Sequence, residues 1–264
     1  MTKYKFTVMD ALREYLFRKS KKPEISYKKV GNDLYRVNIG NTEVYWIDEK
    51  NMYEIKHLYA ETFFEHWRNN HVFEYKECKI EAGMNVLDAG CCEGFFSIFA
   101  LRKKARKVVA VEPLPQLCLA LKNTFCAEIS GDKVILINAL LGREQGEGFI
   151  DVNSEMICAS SENKTRNGQG VKKTTIDELV KGNVVDRFDF IKMDIEGGEM
   201  EAVIGAKETL LTQKPKLAIA VYHGYENAML VKKQILSIRN DYKVSFRGKY
   251  CYEKPPRPYM LYAF

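Results

Sequence analysis

The sequence has no apolar run near the roughly 18 residues that a membrane span requires, and its longest candidates, such as 217–222, read as buried strands. Its N-terminus lacks the apolar core of a signal peptide, so a cytoplasmic protein is expected. No C-x-x-C pair occurs among the seven cysteines, Cys78, Cys91, Cys92, Cys118, Cys126, Cys158 and Cys251. An odd number at scattered positions argues against a disulfide framework or a zinc site and for free thiols in a reducing compartment. Nor is charge of one sign concentrated: 41 Lys and Arg face 35 Asp and Glu, and residues 1–80 carry no more of the +6 excess than the remainder. The spread-out excess names no partner, and nucleic acid is not expected.

What is present is ordinary globular material. With 264 residues, 46% hydrophobic and 29% charged, the chain suits one large domain with an N-terminal extension. Residues 3–22 hold seven basic residues, and Val8, Ala11, Leu12, Tyr15 and Leu16 form the apolar stripe of an amphipathic helix, expected to dock on the domain. The runs 34–39 and 44–47 flank the turn dipeptide Gly40-Asn41 and predict a hairpin, followed by a helix over about 52–69.

From residue 86 the pattern changes to strands near 86–89, 107–112, 133–138, 188–193 and 216–222, alternating with helices near 95–104, 115–129, 175–181, 199–211 and 226–239. Such alternation implies an α/β fold, a doubly wound, mostly parallel sheet covered on both faces. Two strand-like runs, 242–247 and 259–264, lack a helix between them and predict an antiparallel C-terminal hairpin, which brings the sheet to seven strands. The polar stretch 154–170 reads as a flexible loop and a lid, and Thr175 with Glu178 as a capping box opening the next helix.

The most informative segment is N-V-L-D-A-G-C-C-E-G-F-F, residues 85–96, a strand entering a glycine turn and then a helix. Open α/β sheets bind ligands at such strand ends. Gly90 and Gly94 permit close backbone approach, but the spacing D-x-G-x-x-x-G is not the G-x-G-x-x-G that surrounds a pyrophosphate, which disfavours a dinucleotide dehydrogenase. The second strand ends in Glu112, 24 residues after Asp88, where a carboxylate can accept hydrogen bonds from a ribose diol. Adenosine without pyrophosphate is the ligand this pair suggests.

Here the sequence resembles a class I S-adenosylmethionine-dependent methyltransferase, with V-L-D-A-G-C-C-E-G-F-F-S and V-V-A-V-E-P as its first two motifs. V-I-L-I-N-A-L-L-G at 134–142, T-T-I-D-E-L at 174–179 and F-I-K-M-D-I-E-G-G-E at 190–199 are similar, in that order, to the FkbM family, largely O-methyltransferases of sugars and natural products. The resemblance runs over about 80–264 and divides the chain into an α+β extension, 1–80, and a methyltransferase domain, 81–264. It implies that Asp88, Gly90 and Gly94 hold the methionine end of the donor, Glu112 with Pro113 the ribose, and that Asn138 lies beside the adenine. Cys92 would contribute backbone in the glycine loop, and Asp194 would border the donor.

Methyl transfer from a sulfonium needs alignment more than covalent help, and a hydroxyl acceptor adds removal of one proton. Asp194, Glu196 and His223, from the ends of the fourth and fifth parallel strands, are the catalytic candidates. His223 is the expected base, oriented by a carboxylate. A Mg²⁺ ion on Asp194, Glu196 and a fifth-strand group is the alternative, not preferred because that strand supplies Tyr222-His223 where oxygen ligands would be expected. Glu199 and Glu201 suit a helix start, and His57, His66 and His71 are assigned to packing. Tyr250, Tyr252 and Tyr259, with Lys249, Lys254 and Arg257, form a loop that could stack on a sugar, and Arg247 could pair with an acidic acceptor. Base-modifying enzymes of this fold usually carry [D/N]-P-P-[Y/F/W] after strand four, whereas this chain has D-I-E-G. The expected acceptor is a glycan or small molecule, the alternatives being a methyltransferase of nucleic acid or peptide or a non-catalytic adenosine-binding module; a homo-oligomer is compatible with all of this.

Overall fold

The computed structural model describes residues 5–47, 52–151, 168–252 and 255–264. The chain opens with helix α1 (Val8–Lys19), an antiparallel meander of β1 (Ile25–Gly31), β2 (Leu34–Ile39) and β3 (Thr42–Trp46), and helix α2 (Met52–Phe63). In β2 and β3 alternate residues, Tyr35, Val37, Ile39, Val44 and Trp46, are buried, as the pleat dictates. The expected Gly40-Asn41 turn closes this hairpin. Gly40 has φ +55°, and a Cβ there would strike the Tyr59 ring of α2.

Helix α1 forms, opened by a Thr7–Asp10 capping box, but its predicted stripe faces outward. Val8 is 86% exposed, Leu12 and Tyr15 are also exposed, and the docked face is Asp10, Glu14 and Phe17. Specific partners override the apolar pattern. Phe17 packs edge-on against His57 and Phe64, Tyr252 Oη donates to Glu14 Oε1 (3.1 Å), and Asn70 Nδ2 donates to the Asp10 carbonyl (2.9 Å). Helix α2 stops at Phe63 rather than near 69, and the following chain folds back on it: Asn69 Nδ2 donates to the Ala60 (3.3 Å) and Glu61 (2.8 Å) carbonyls.

The rest is an alternation of β4 (Asn85–Ala89), α3 (Phe95–Arg102), β5 (Lys107–Val111), α4 (Pro115–Thr124), α5 (Cys126–Ser130), β6 (Val134–Ile137), β7 (Leu140–Leu141), β8 (Gly146–Asp151) and β9 (Gly168–Thr174). It continues through α6 (Ile176–Lys181), β10 (Phe190–Met193), α7 (Glu199–Ile204), α8 (Lys207–Gln213), β11 (Lys216–Ala220), α9 (Asn227–Ile238), β12 (Val244–Arg247) and β13 (Met260–Ala263). The central sheet has seven strands in the order β12-β13-β11-β10-β4-β5-β6. Of its six pairings, β11–β10, β10–β4, β4–β5 and β5–β6 are parallel, and β11–β13 and the closing hairpin β12–β13 are antiparallel. This is the doubly wound architecture expected. The order reverses at β4, whose neighbours are β5 and β10, so the carboxyl ends of β4 and β10 flank the crevice where such sheets bind ligands.

Two predicted helices are each broken in two. The 115–129 helix divides at Phe125, which is buried beneath Gly94, and 199–211 divides at Gly205, where a Cβ would collide with the Gly142 carbonyl. The Asp177 carboxylate then caps α8, accepting from the Glu208 (2.9 Å) and Thr209 (2.8 Å) amides. A small sheet, β7-β9-β8, was not anticipated; it takes in 168–170 of the expected 154–170 lid, while 154–167 and Lys254 lie outside the described residues.

Apolar clusters fill both faces of the main sheet, and a third joins the extension to the domain: Val37, Val44, Trp46, Ile55 and Tyr59 pack with Phe95, Leu114 and Leu117. Among the described residues no helix is long and apolar enough to cross a membrane.

Candidate active site

The carboxyl ends of β4, β5, β10 and β11 open onto a cavity of about 890 Å³, mouth included. It is lined by the glycine loop (Gly90, Cys91, Cys92, Glu93), by Glu112 and Pro113 after β5, by Lys192, Asp194 and Glu196 around the end of β10, and by Tyr222 after β11.

The glycine loop follows from two left-handed glycines, Gly90 (φ +72°) and Gly94 (φ +88°). At Gly90 a Cβ would strike the Asp194 carbonyl, so only glycine lets the ends of β4 and β10 close together. At Gly94 the obstacle is Phe125 and Leu121, which makes that glycine a packing requirement beneath α3. Asp88 does not reach the cavity. It is fully buried, accepting from Lys192 Nζ (2.9 Å) and Ser97 Oγ (2.7 Å). Lys192 Nζ also donates to the carbonyls of Gly90 (2.6 Å) and Ala89 (3.3 Å). Burial works against this ammonium, but Asp88 and Asp194 outweigh it and hold Lys192 charged. Lys192 therefore ties the loop to the sheet and lines the cavity. A lysine inside the otherwise apolar strand F-I-K-M was its only sequence signal.

Glu112 stands where a ribose-binding acid is expected. Its carboxylate accepts from the amides of Leu114 (3.0 Å) and Cys92 (3.1 Å), which leaves lone pairs for further donors. Burial pushes its carboxyl up to about 7, and does the same to Glu93. Cys92 contributes its backbone, at φ +45°. Cys91 is buried with its thiol pushed well up, an inert group. Asn138 is otherwise engaged: its amide donates to the carbonyls of Glu112 (2.9 Å) and Pro113 (2.8 Å), fastening the loop, and the cavity wall beyond it is Ala139, Leu140 and Leu141.

The acceptor-side candidates do converge. His223 Nε2 lies 3.5 Å from Asp194 Oδ1 and 3.4 Å from Glu196 Oε2, and its Nδ1 lies 2.9 Å from Glu199 Oε1. Glu199 is fully buried at the start of α7 and also accepts from the amides of Ile195 (3.3 Å) and Gly197 (3.2 Å) and from Asn227 Nδ2 (2.9 Å). Its role is thus larger than a helix-start charge. Burial disfavours the His223 imidazolium, but Glu199, Asp194 and Glu196 overcome this and raise it to about 9. Asp194, Glu196 and His223 each offer one atom within 4.8 Å of the others, a grouping that could also hold a divalent cation.

The extension supplies what sequence reasoning missed. Leu58, Glu61, Thr62, His71 and Phe73 form one wall of the cavity. His71, assigned above to packing, is 5% exposed, with Nδ1 3.5 Å from Glu61 Oε2 and Nε2 3.4 Å from Asp194 Oδ2. No local spacing links these three residues, so no motif could announce them. Arg247 is unavailable to an acceptor: it is buried, donating to the carbonyls of His66 and Asn69. Of the tyrosines, Tyr259 is buried, Tyr250 stacks on Tyr222 at 4.8 Å, and Tyr252 is half exposed against α1.

A seven-stranded sheet of this order, with a glycine loop after β4 and an acid after β5, defines a Rossmann-like, class I methyltransferase. The methyltransferase FkbM domain matches residues 81–240, and the chain belongs to that family. Methyltransferase FkbM from Methylobacillus flagellatus KT is similar in structure, at TM-score 0.56 and 22% identity, over 78% of this chain and 48% of that one. The chain thus spans about half the length of that relative. Weaker likeness extends to precorrin-6y C5,15-methyltransferase from Geobacter metallireducens GS-15 (TM-score 0.43, 12% identity, 71% and 83% covered). It extends also to a methyltransferase from Pyrococcus furiosus (TM-score 0.43, 13% identity, 82% and 98% covered). Among curated proteins, none matches the chain.

Proposed function

We propose that the chain transfers a methyl group from S-adenosylmethionine to a hydroxyl of a sugar, glycan or secondary metabolite. The observation that carries this is the meeting, in one cavity, of an adenosine-type cradle with Asp194 and Glu196, behind which His223 sits. The residues fit the donor: Glu112 is a buried carboxyl at the cavity wall with acceptor capacity left for a ribose diol. When bound, S-adenosylmethionine supplies a methyl already activated on a cationic sulfur.

The chain's own groups do the remainder. Glu112, with Pro113 and the Cys92 backbone, holds the nucleoside; Lys192 keeps Gly90 in place and Asp194 and Glu196 offset positive charge nearby. The hydroxyl proton passes through Asp194 or Glu196, which line the cavity, to Nε2 of neutral His223 at 3.5 and 3.4 Å behind them, while Glu199 at Nδ1 fixes the ring's orientation and stabilises the imidazolium that results. The proton, not a covalent intermediate, is what this cluster handles.

The test is transfer of labelled methyl from S-adenosylmethionine into a fractionated extract of the producing cells, with Glu112→Gln as control. Asp88→Ala is a poor control because it strands Lys192. Label in glycan or small-molecule pools supports the reading; label only in protein or nucleic acid replaces the acceptor, and none in any pool contradicts it. Chelator is expected to leave the rate unchanged, and a loss restored by Mg²⁺ would make the three side chains a cation site instead.

A further inference from the structure

We propose that His71, supplied by the chain ahead of the family domain, is a positioning residue of the catalytic cluster: set between Glu61 and Asp194, it fixes the Asp194 carboxylate so that Oδ1 faces His223. The inference rests on the roles of Asp194 and His223 proposed above.

The geometry is that of an ionic bridge and not of a packing histidine. Both ring nitrogens face carboxylate oxygens, at 3.5 and 3.4 Å, and the ring is enclosed by Phe73, Tyr222 and Tyr259, with centroids at 5.1, 5.8 and 5.5 Å. Burial alone would favour neutral imidazole, but Glu61 and Asp194 prevail and raise it to about 10; Glu61 in turn is held far below its usual range.

The position is built from three sides. The His71 amide donates to Asn69 Oδ1 (2.9 Å), Asn69 is fastened to the end of α2, and the Asn69 carbonyl accepts from Arg247 (3.0 Å) of β12. Asn70 reaches the backbone of α1. Three elements outside the nucleotide crevice thus converge to place one imidazole.

The consequence concerns Asp194. Its two oxygens face two imidazoles, Oδ2 toward His71 and Oδ1 toward His223. With His71 in place, Oδ2 is occupied and the carboxylate plane is set, so Oδ1 stays available beside the base. Without it, Asp194 has His223 as its remaining cationic neighbour in that pair of contacts and pairs with the group that must accept the proton. The extension then serves as part of the catalytic unit as well as a wall of the cavity.

The experiment compares wild type, His71→Gln, Glu61→Gln and the double variant. Three readouts are taken: initial rate of labelled methyl transfer into the accepting extract pool, S-adenosylhomocysteine affinity by calorimetry, and imidazole ¹⁵N shifts. The expected result is a fall of about 10-fold or more for His71→Gln, a smaller fall for Glu61→Gln, and a double variant little worse than His71→Gln, because the two act as a unit. S-adenosylhomocysteine affinity and binding stoichiometry should stay within about twofold of wild type. Rates within about twofold for both variants overturn the proposal. So does a fall matched by lost binding stoichiometry, the mark of a structural role.

The ¹⁵N spectrum keeps the question separable from activity. In wild type at pH 8 the His71 ring, identified by its absence in His71→Gln, should show both nitrogens protonated. A ring protonated on one nitrogen overturns the bridge whether or not any methyl is transferred. If wild type labels no pool, the methyltransfer reading fails by itself, and the spectrum decides the bridge alone.

Discussion

The two halves of the cavity are made in opposite ways. The half proposed to hold the donor is local: Gly90, Cys92 and Glu112 lie within one βαβ unit, joined by the Cys92 amide to the Glu112 carboxylate. The half proposed to face the acceptor is assembled from distant chain: Glu61 from α2, His71 from the loop after it, Asp194 and Glu196 after β10, Glu199 from α7 and His223 after β11. Local construction suits a ligand that must be held the same way each turnover. Dispersed construction lets the acceptor side change by altering loops and extensions while the nucleoside side stays as it is.

The largest expected effect lies where the halves meet. Lys192→Met leaves Asp88 buried without its cation and should destabilise the fold by about 3–5 kcal/mol, with part recovered in the Asp88→Asn/Lys192→Met double variant. Urea denaturation midpoints measure both. A loss below about 1 kcal/mol would mean that the two halves are not tied together by this pair.

Next comes the donor half alone. Glu112→Gln removes a charged acceptor and should weaken S-adenosylhomocysteine by about 10-fold or more, corresponding to about 1.4 kcal/mol or above. Because burial lifts this carboxyl to about 7, wild-type affinity should rise as pH increases from 6 to 8 and Glu112→Gln should lose that rise. Calorimetry across this range would sharpen the assignment.

The acceptor half should show a different pH dependence. The His223 imidazolium persists to about 9, and only the neutral ring accepts a proton. Turnover should therefore increase with pH through neutrality, by at most about tenfold per unit, and level off near or below 9, since a bound sulfonium pushes the imidazolium down. A profile already flat at pH 7 would remove His223 as the base.

The smallest effect belongs to the outward face of α1, while its docked face should behave as core. Leu12→Ser lies on its exposed face and should change stability by less than about 0.5 kcal/mol. Phe17→Ala, on the docked face, should lose about 3 kcal/mol.

The same contrast explains what could be read in advance. Strand and helix alternation, the glycine loop and Glu112 were legible because periodicity and short-range spacing are local properties of the chain. Asp194, Glu196 and His223 were legible as strand ends. Their partners were not: Glu61 and His71 lie in segments without periodic pattern, and Lys192 looks like an ordinary residue of a short strand until Asp88 is placed beside it. The outward turn of the α1 stripe has the same origin, since the contacts that decide it, Tyr252 to Glu14 and Asn70 to the Asp10 carbonyl, join residues far apart in sequence. Asn138 shows what a motif leaves out, since its side-chain amide nitrogen donates to the backbone of its own loop.

The division of labour can be tested most directly on His223→Gln, measuring S-adenosylhomocysteine affinity and labelled methyl transfer on the same preparation. The account predicts affinity within about twofold of wild type and transfer reduced by about 100-fold or more. Affinity lost together with transfer, or transfer retained, would contradict it.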